Sequence, residues 1–574
     1  MHDNHSFDGM VASPAGDMAP AAGTAPLRTQ RPVYGLLDDA VRRHGDCAAI
    51  HFLGRRYTYR ELGALVDRAA RGFAALGIGK GARVGLCLPN TPAFVISYFA
   101  VLKTGATVVN FNPLYAPREL QHQIEDSGVS VMVTTDLAMI YPKVAAHLGR
   151  ASLARLVVCP MAEMLPLLKR LLFPVLKRKD LAHIPKDPRH VRFRELLRHG
   201  GPFTPPTIDP ETDLAALQYT GGTMGLAKGA MLTHANIVAN AEQVFQLLPD
   251  PKIGGERVLG VLPLFHVFGM TVAMNLAVRL AAEMVLVPRF DVETTIDVIV
   301  RERATLFPGV PTIYTAINHA LDKRSADLSS LRYCISGGAP LPGEVRRRFE
   351  TLTGCRLGEG YGLSESSPVV CCNPLDGGAR DGSIGRPLAG TRVEIRDLAD
   401  PTRICAPQEK GELCVRGPQV MRGYWKRDDD TRETFIDGAL RTGDVGYVDE
   451  DRYYFIVDRI KDMILCSGYN VYPRAVEEAL YEHPAVAEAL VIGVPDAYRG
   501  NAPKAFVVLK QPLPDPDAEL HGFLKDYLSP IEMPKEIEIC ESLPKTLVGK
   551  LSRKELIARE QQRAAAAADS GATA

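Results

Sequence analysis

An alternation of helical and strand-like patterns in the N-terminal part of the chain constrains its fold more than any other feature. Residues 57–78 carry apolar side chains at helical spacing, and an apolar, strand-like segment follows at 83–88. The same order then repeats, with helices at 94–103 and 117–127 and strands at 107–111 and 129–134. Because successive parallel strands need crossover connections, this alternation predicts parallel sheets with helices on their faces.

The length of the chain predicts more than one domain. At 574 residues it exceeds the size at which a single hydrophobic core stops growing. From Gly411 the pattern changes to short strands and hairpin turns, which indicates antiparallel structure, and beyond Lys461 a compact α+β pattern runs to about residue 558. A charged DRIKD segment lies between the two and is a candidate linker. We predict disordered tails at 1–30 and 561–574, an N-terminal domain at 31–457 and a C-terminal domain at 458–560 with a hinge near Lys461.

Composition narrows the class of protein. Apolar residues make up 46 % and charged residues 23 % of the chain, as in ordinary globular proteins. Sixty-seven basic residues balance 67 acidic ones, so no global field favours nucleic acid. The eleven cysteines lack the spacing of zinc or disulfide frameworks, and the N-terminus lacks an export signal. We therefore expect a cytoplasmic protein that does not bind nucleic acid.

A glycine-rich stretch at 218–234 has the outline of a phosphate-binding loop. Glycines let backbone N–H groups approach phosphate oxygens closely, and a lysine adds a compact positive charge. It is not a Walker loop, because Lys228 is followed by Gly229 rather than Ser or Thr. An ordinary glycine-rich turn is the alternative. The candidate phosphate ligands are Thr220, Gly221, Gly222, Thr223, Gly225 and Lys228.

A basic, leucine-rich segment between 161 and 198 interrupts the α/β pattern. It mixes Leu and Phe with the cations Lys169, Arg170, Lys177, Arg178 and Lys179. One interpretation is an amphipathic patch that rests on an anionic membrane surface. The other is a pair of surface helices with a solvated charged face, which the interrupting Pro166 and Pro174 favour.

Seven motifs in order resemble those of the acyl-adenylate-forming superfamily, and within it the bacterial medium- and long-chain fatty-acid CoA ligases. The resemblance spans residues 31–556. It is carried by YTGGTMGLAKG, LPLFHVFGM, SGGAPLP, EGYGLSE, RTGD, DRIKDMILCSGYNVYP and LPKTLVGKLSR. It implies an α/β fold with a large N-terminal domain of parallel α/β sheets, a distorted β-barrel-like subdomain and a small mobile α+β C-terminal domain.

The resemblance also implies a reaction in two halves and assigns residues to the first. A carboxylate attacks the α-phosphate of ATP to give acyl-AMP and pyrophosphate, and the thiol of CoA then displaces AMP. Thr223 and Glu365 are implied as magnesium ligands, and Ser364 as a phosphate-binding hydroxyl. The residues implied to bind the nucleoside are Gly338, Glu359, Gly360 and Tyr361 for adenine, Asp444 for the ribose, and Arg459 for ribose or phosphate.

Catalysis is assigned mainly to the C-terminal domain. The resemblance implies that Lys550 bridges the carboxylate and the α-phosphate, with His266 as a second catalytic residue beside the acyl pocket. It implies that the domain rotates about Lys461 between the half-reactions and presents the Gly468 loop to the pantetheine channel. The acyl pocket is expected between residues 262–270 and 310–314.

Some residues of this chain differ from the family pattern, and the sequence leaves several substrate classes open. Met224 replaces a common hydroxyl residue, Leu465 replaces a lysine of some members, and Met270 stands where some carry an aromatic gate. A dicarboxylate or aryl acid as substrate, or a carrier protein in place of CoA, are alternatives within the fold. A nonreactive lipid- or nucleotide-binding relative is disfavoured, because Lys550 and the polar site residues are present. A homodimer and peripheral contact with the inner face of the membrane stay open.

Overall fold

The structure is a computed structural model that describes residues 31–220, 227–467, 469–496, 499–545 and 551–571. The tail predicted at 1–30 lies outside the described residues. Among the residues that are described, no helix is long and apolar enough to cross a membrane.

Sixteen strands build two large sheets in the N-terminal part of the described chain. They are β1 (Ala48–Phe52), β2 (Arg55–Thr58), β3 (Arg83–Cys87), β4 (Thr107–Asn110), β5 (Val131–Thr135), β6 (Arg155–Cys159), β7 (His190–Arg192), β8 (Leu214–Thr220), β9 (Lys228–Thr233), β10 (Arg257–Gly260), β11 (Glu283–Leu286), β12 (Leu306–Gly309), β13 (Tyr333–Gly337), β14 (Arg356–Gly362), β15 (Val369–Cys372) and β16 (Arg386–Pro387).

Both sheets have parallel interiors. The seven-stranded sheet has the order β7-β6-β5-β3-β4-β8-β9, and only the β8–β9 pair at its edge is antiparallel. The nine-stranded sheet has the order β16-β15-β14-β13-β12-β10-β11-β1-β2, parallel from β14 to β1. The parallel α/β sheets predicted from the helix–strand alternation are confirmed.

Within the described residues, sixteen α-helices accompany the strands. They are α1 (Tyr34–His44), α2 (Tyr59–Ala75), α3 (Pro92–Lys103), α4 (Pro117–Ser127), α5 (Tyr141–Ala145), α6 (Leu167–Leu176), α7 (Phe193–Leu196), α8 (His234–Gln246), α9 (Leu276–Arg279), α10 (Val292–Glu302), α11 (Pro311–Leu321), α12 (Gly343–Thr353), α13 (Asp428–Thr434), α14 (Pro473–Tyr481), α15 (Pro516–Leu524) and α16 (Arg553–Gly571).

Local sequence explains the first of the predicted helices. The Thr58 side chain accepts a hydrogen bond from the Glu61 N–H, and Glu61 accepts one from the Thr58 N–H, so a capping box starts α2. Its neighbour α3 is apolar on all sides and buried along almost its whole length. Helices α2 and α3 and both sheets contribute to one buried hydrophobic cluster, and a second cluster joins α4 and α5 to the seven-stranded sheet.

Two smaller sheets follow the parallel ones. Antiparallel strands β17 (Arg392–Arg396), β18 (Gly411–Arg416), β19 (Phe435–Ile436), β20 (Ala439–Val448) and β21 (Tyr454–Arg459) form the predicted antiparallel subdomain. Strands β22 (Ile464–Cys466), β23 (Tyr469–Val471), β24 (Val486–Asp496), β25 (Gly500–Leu509) and β26 (Glu536–Ile539) form the C-terminal sheet, which has a hydrophobic cluster of its own.

Both ends of the C-terminal domain differ in detail from the sequence expectation. Strand β21 ends at Arg459 and the next sheet starts at Ile464, so the connection is 460–463, a few residues past the predicted boundary at 457/458. Helix α16 continues to Gly571, whereas a disordered tail from residue 561 is predicted from the sequence. The helix extends into the predicted tail because that part of the chain is rich in alanine, which has the highest intrinsic helix propensity.

Candidate functional site

The candidate residues lie where parallel strands of the large sheets end. Strand β10 leads into residues 262–270, β13 leads into Gly338, and Glu359 to Tyr361 belong to the end of β14. In open α/β sheets, ligands bind outside the carboxyl ends of the strands. Three of the motifs predicted from sequence, LPLFHVFGM, SGGAPLP and EGYGLSE, therefore lie at the carboxyl ends of strands of the nine-stranded sheet.

The glycine-rich loop joins two antiparallel strands. Thr220, the last residue of β8, is the register partner of Lys228, the first residue of β9. Residues 221–226 lie outside the described residues, so the roles of Gly221, Gly222, Thr223 and Gly225 stay predictions. The hairpin fixes where that loop leaves and re-enters the sheet.

Lys228 is held by an acidic and an aromatic side chain. Its Nζ lies 2.5 Å from Asp430 Oδ1 in α13 and 5.4 Å from the centre of the Tyr424 ring. These contacts orient the ammonium group beside the hairpin. A phosphate bound at Lys228 would share or replace the Asp430 ion pair.

The apolar segment that carries His266 contacts both the hairpin and β13. Gln218 Nε2 in β8 donates to the Phe265 carbonyl over 3.1 Å, and half-buried His266 accepts from the Phe268 N–H at Nδ1 over 3.3 Å. A Cβ on Gly337 would lie 2.9 Å from the Phe268 ring, so a glycine is needed at that position. The predicted acyl segment and the predicted adenine motif are therefore in direct contact.

The adenine motif is formed by two neighbouring parallel strands. Ser336 pairs with Glu359 and Gly337 with Gly360. The turn after β13 needs φ of 85° at Gly338, a value that glycine adopts without strain. The two motifs, SGGAPLP and EGYGLSE, are thus adjacent across a strand pair although 16 residues separate them in the sequence.

Tyr361, Asp444 and Arg459 form a connected polar chain. The Tyr361 hydroxyl donates to Asp444 Oδ2 over 2.5 Å, and Arg459 Nε lies 3.0 Å from Asp444 Oδ1. Asp444 and Arg459 are register partners on β20 and β21. Burial raises the pKa of Tyr361, with Asp444 adding to that shift, and the same carboxylate raises the pKa of Arg459. The ring of Tyr361 is neutral and the Asp444–Arg459 pair is positioned beside it.

Ser364 and Glu365 lie in a 3₁₀ turn, Ser364–Ser366, just after β14. Glu365 Oε1 accepts from the Tyr424 hydroxyl over 2.7 Å, which leaves the other carboxylate oxygen outside that hydrogen bond. Tyr424 therefore contacts the candidate metal ligand Glu365 through its hydroxyl and Lys228 through its ring.

Glu359 is buried at the centre of the candidate adenine site. Burial raises the pKa of its carboxyl group to about 7, and Arg474 of α14 opposes that shift. A carboxyl group in this position gains little from ionisation because water is excluded from it.

We expect this burial to make the stability of the protein depend on pH. The unfolded chain loses the Glu359 proton near pH 4.5, whereas the folded protein keeps it to about pH 7, so the free energy of unfolding falls as the pH rises through that window. The contribution of this group is about 3 kcal/mol. Glu359→Gln should reduce the fall between pH 5 and pH 8, measured by urea denaturation at both pH values. An unchanged pH dependence in the variant would contradict the assignment.

The connection at 460–463 is tied to the C-terminal domain on both sides. Buried Asp458 accepts from the N–H groups of Arg459 and Arg474, each over 2.7 Å. Arg553 Nη1 lies 3.1 Å from Asp462 Oδ2, and its Nη2 lies 2.6 Å from Glu477 Oε1. Arg553 thus links the chain just after the predicted catalytic loop to the predicted hinge.

Two of the predicted functional positions in the C-terminal domain, Gly468 and Lys550, lie outside the described residues. Lys461 lies in the turn that follows β21, and Leu465 is exposed in β22. No functional role was predicted from the sequence for Tyr424, Asp430 or Arg553. Arg553 belongs to the LPKTLVGKLSR motif, which was the available signal, whereas Tyr424 and Asp430 lie outside the seven motifs.

Parallel α/β sheets with aromatic, acidic and basic groups gathered at one strand edge are the framework of a nucleotide-binding enzyme. The family model described as AMP-binding enzyme matches residues 37–425, and the model described as AMP-binding enzyme C-terminal domain matches residues 475–550. The chain belongs to the AMP-binding enzyme family.

Curated relatives and solved structures agree with that membership over almost the whole chain. A long-chain-fatty-acid–CoA ligase of Bacillus subtilis is 44 % identical over 92 % of this chain and 95 % of its own. A feruloyl-CoA synthase of an Amycolatopsis species is 36 % identical over 88 % and 95 %. The crystal structure of the anthranilate CoA ligase AuaEII with anthranoyl-AMP aligns with a TM-score of 0.81 at 26 % identity, covering 94 % of this chain and 99 % of that one.

Proposed function

We propose that this protein is an ATP-dependent fatty-acid CoA ligase. It activates a fatty acid as acyl-AMP with release of pyrophosphate, and it transfers the acyl group to CoA with release of AMP. The observation that carries the proposal is the 44 % identity, over nearly the full length, to a long-chain-fatty-acid–CoA ligase. The polar chain of Tyr361, Asp444 and Arg459 supports it, because it presents a ring, a carboxylate and a guanidinium to one nucleotide.

The residues of the N-terminal domain bind and orient ATP. Gly338, Glu359, Gly360 and Tyr361 receive the adenine, and Asp444 accepts hydrogen bonds from the ribose hydroxyls. Arg459, held by Asp444, reaches the ribose or a phosphate. The hairpin residues, among them Thr220 and Lys228, surround the phosphates, and the hydroxyl of Ser364 adds a donor. Cations and donors are needed here because an anionic carboxylate approaches a polyanion.

The donor set fits a magnesium ion that is bound jointly with the nucleotide. Mg²⁺ is usually held by one or two protein carboxylates together with substrate phosphates and water. Glu365 has one carboxylate oxygen on Tyr424 and one outside that hydrogen bond, and Thr223 is the second candidate ligand. When bound, the ion neutralises phosphate charge. Within the described chain, no group of three or more His, Cys, Asp or Glu side chains is arranged to hold a metal ion.

The C-terminal domain supplies the catalytic ammonium group of Lys550 for the first half-reaction and then moves it away from the site. Lys550 bridges the carboxylate and the α-phosphate during adenylation, with His266 beside the acyl group. Rotation about residue 461 then removes Lys550 and brings the Gly468 loop to the pantetheine path. The Arg553–Asp462 ion pair supports coupling between the hinge and the catalytic loop, because it joins the two segments directly.

Replacing Lys461 with proline is expected to spare acyl-AMP formation and to lower thioester formation about tenfold or more. Proline fixes φ near −65° and restricts the rotation that the second half-reaction needs. Single-turnover assays of acyl-AMP and of acyl-CoA measure the two steps separately. Lys461→Ala, which keeps the backbone free, is the matched control and should affect thioester formation less. An equal loss of both half-reactions in the proline variant would exclude the hinge.

A plain alkyl acid is the preferred substrate class. Leu262, Leu264, Val267 and Met270 of the acyl segment are buried, and no charged side chain of that segment is available for a second carboxylate. An aryl acid is the second candidate, favoured by the feruloyl-CoA synthase relative. We also propose a cytoplasmic location with peripheral contact at the inner face of the membrane. A homodimer stays a prediction without a supporting observation.

ATP–pyrophosphate exchange across a panel of acids tests the function. The panel contains octanoate, palmitate, ferulate and succinate, and CoA is then compared with a carrier-protein phosphopantetheine as acceptor. We expect exchange with the two fatty acids and thioester formation with CoA. Exchange with none of the acids would overturn the enzyme assignment, and exchange with ferulate alone would replace the alkyl substrate with an aryl one.

A further inference from the structure

Helix α6 turns its apolar face away from the protein. Its residues Leu167, Leu168, Leu171, Leu172, Val175 and Leu176 are between 46 % and 75 % exposed, and none of the ten residues of the helix is buried. At about 100° per residue, these six side chains occupy one half of the helix circumference. We call them, together with exposed Leu53 of the neighbouring β1–β2 turn, the docking face.

The docking face inverts the arrangement expected of an ordinary surface helix. Such a helix buries its apolar stripe against the core and exposes its charged side. Here Phe173, on the opposite side of the helix, packs against the core, and Lys169 Nζ donates to the Leu53 carbonyl over 2.9 Å. The sequence favours a pair of surface helices with a solvated charged face. Those charged residues are exposed in the structure, but the apolar side chains of α6 are exposed as well, which that interpretation does not explain.

Both ends of α6 are anchored, so the face is held out from the protein in a defined place. Met164 and Leu165, just before the helix, are buried, and the Arg55 Nη1 donates to the Glu163 carbonyl over 2.8 Å. After the helix, Leu181 forms an isolated bridge with Leu137 beside β5. A contiguous exposed apolar surface of this kind marks an interaction site rather than a solvated surface.

Charge identifies what this face contacts. Between residues 164 and 180 the chain carries five basic residues (Lys169, Arg170, Lys177, Arg178 and Lys179) against one acidic residue, Asp180. Every one of these six is exposed. An apolar face bordered by cations matches the interface of a bilayer that contains anionic lipids, since acyl chains accept the leucines while lipid phosphates accept the cations.

We propose that the docking face, with the bordering cations of residues 169–179, attaches this protein peripherally to an anionic phospholipid bilayer. The proposal rests on the proposed function, because a fatty acid partitions into a bilayer and an enzyme attached there meets its substrate where it is concentrated. It goes beyond that function by assigning the surface and the lipid class. Binding needs neither ATP nor turnover, so it is tested separately from catalysis.

The first experiment measures co-sedimentation of the full chain with vesicles of phosphatidylcholine containing about one-third phosphatidylglycerol, and with pure phosphatidylcholine vesicles. The variant Leu168→Ser/Leu171→Ser/Val175→Ser is expected to partition about tenfold less onto the anionic vesicles. Arg178→Ser/Lys179→Ser should also lose about tenfold on these vesicles but change little on neutral ones. The control Ile253→Ser/Leu398→Ser/Ile404→Ser removes exposed apolar residues elsewhere and should bind like the unmodified protein.

Two further measurements, of activity and of tryptophan fluorescence, distinguish a loss of membrane binding from a loss of folding. Octanoyl-CoA formation without vesicles should be equal in all variants, which separates a failure of docking from a failure of folding or of the proposed function. A Leu171→Trp variant should show blue-shifted emission on anionic vesicles. Equal vesicle binding by the triple-serine variant and its control would overturn the proposal. So would a dimer, seen by sedimentation velocity, that the triple-serine variant alone dissociates, since a second copy would then cover the face.

Discussion

Replacing Lys550 with alanine is expected to lower ATP–pyrophosphate exchange about 100- to 1000-fold while leaving the fold intact. The carboxylate that attacks the α-phosphate is anionic, and negative charge accumulates as the new bond forms, so one well-placed ammonium group stabilises the transition state more than the ground state. The fold should survive because the contacts that hold the following segment belong to Arg553, which pairs with Asp462 and Glu477. Exchange with octanoate as the acid measures the effect directly.

Lys554→Ala provides the matched control for that prediction. Lys554 lies four residues further on, is exposed in α16, and has the same side chain. Its removal should change exchange less than about twofold, as is usual for surface substitutions. Exchange in Lys550→Ala that equals exchange in Lys554→Ala would remove Lys550 from the mechanism. A separate assay of the second half-reaction, starting from synthetic acyl-AMP and CoA, should show a much smaller loss, because the role proposed for Lys550 is confined to acyl-AMP formation.

The second large effect is expected from Asp444→Ala, which should reduce kcat/KM for ATP about 100-fold. Asp444 is the shared partner of the Tyr361 hydroxyl and the Arg459 guanidinium, so its removal releases together the ring proposed to contact adenine and the cation proposed to contact ribose or phosphate. The loss of hydrogen bonds to the ribose hydroxyls adds to the effect. We expect most of it in KM for ATP and little in KM for the fatty acid.

Two variants, Tyr361→Phe and Asp451→Ala, serve as comparisons for the Asp444→Ala result. The phenylalanine variant keeps the ring and the Asp444–Arg459 pair and loses one hydrogen bond, so its loss should be several-fold rather than 100-fold. Asp451 is an exposed acid on the hairpin between β20 and β21, paired with Arg380, and its replacement should leave KM for ATP unchanged. If Asp444→Ala raised the KM for ATP no more than Asp451→Ala, the ribose assignment of Asp444 would be wrong.

Local patterns were sufficient to predict the elements that build the framework. Helix α4 was predicted at 117–127 and is observed at Pro117–Ser127, because proline at its first turn and a left-handed glycine, Gly128, after its end mark both boundaries. Strand β3 was predicted at 83–88 and is observed at Arg83–Cys87. Both signals lie within a few residues of the element they define, so they can be read without knowing the rest of the fold.

Contacts within the site depend on strand register and could not be predicted in this way. Tyr424 reaches Glu365 across 59 residues of sequence, and Asp430 reaches Lys228 across 202. Asp444 faces Arg459 because β20 and β21 pair with an irregularity between Val445 and Gly446, a shift that no periodicity predicts. The motifs were sufficient to identify the candidate site residues, whereas the pairing of the strands determines which of those residues form hydrogen bonds with each other.

The sequence by itself determined the order of helices and strands, the parallel sheets and the set of candidate ATP-binding residues, because periodicity, capping residues and motifs are local properties of the chain. The tertiary structure alone decided which side of α6 faces outward and which partners hold Lys228, Asp444 and Arg553. An amphipathic pattern gives a helix two different faces but does not say which one meets the core. That choice depends on packing across the whole domain: Phe173 packs against the hydrophobic core, and Lys169 donates to the Leu53 carbonyl in the β1–β2 turn.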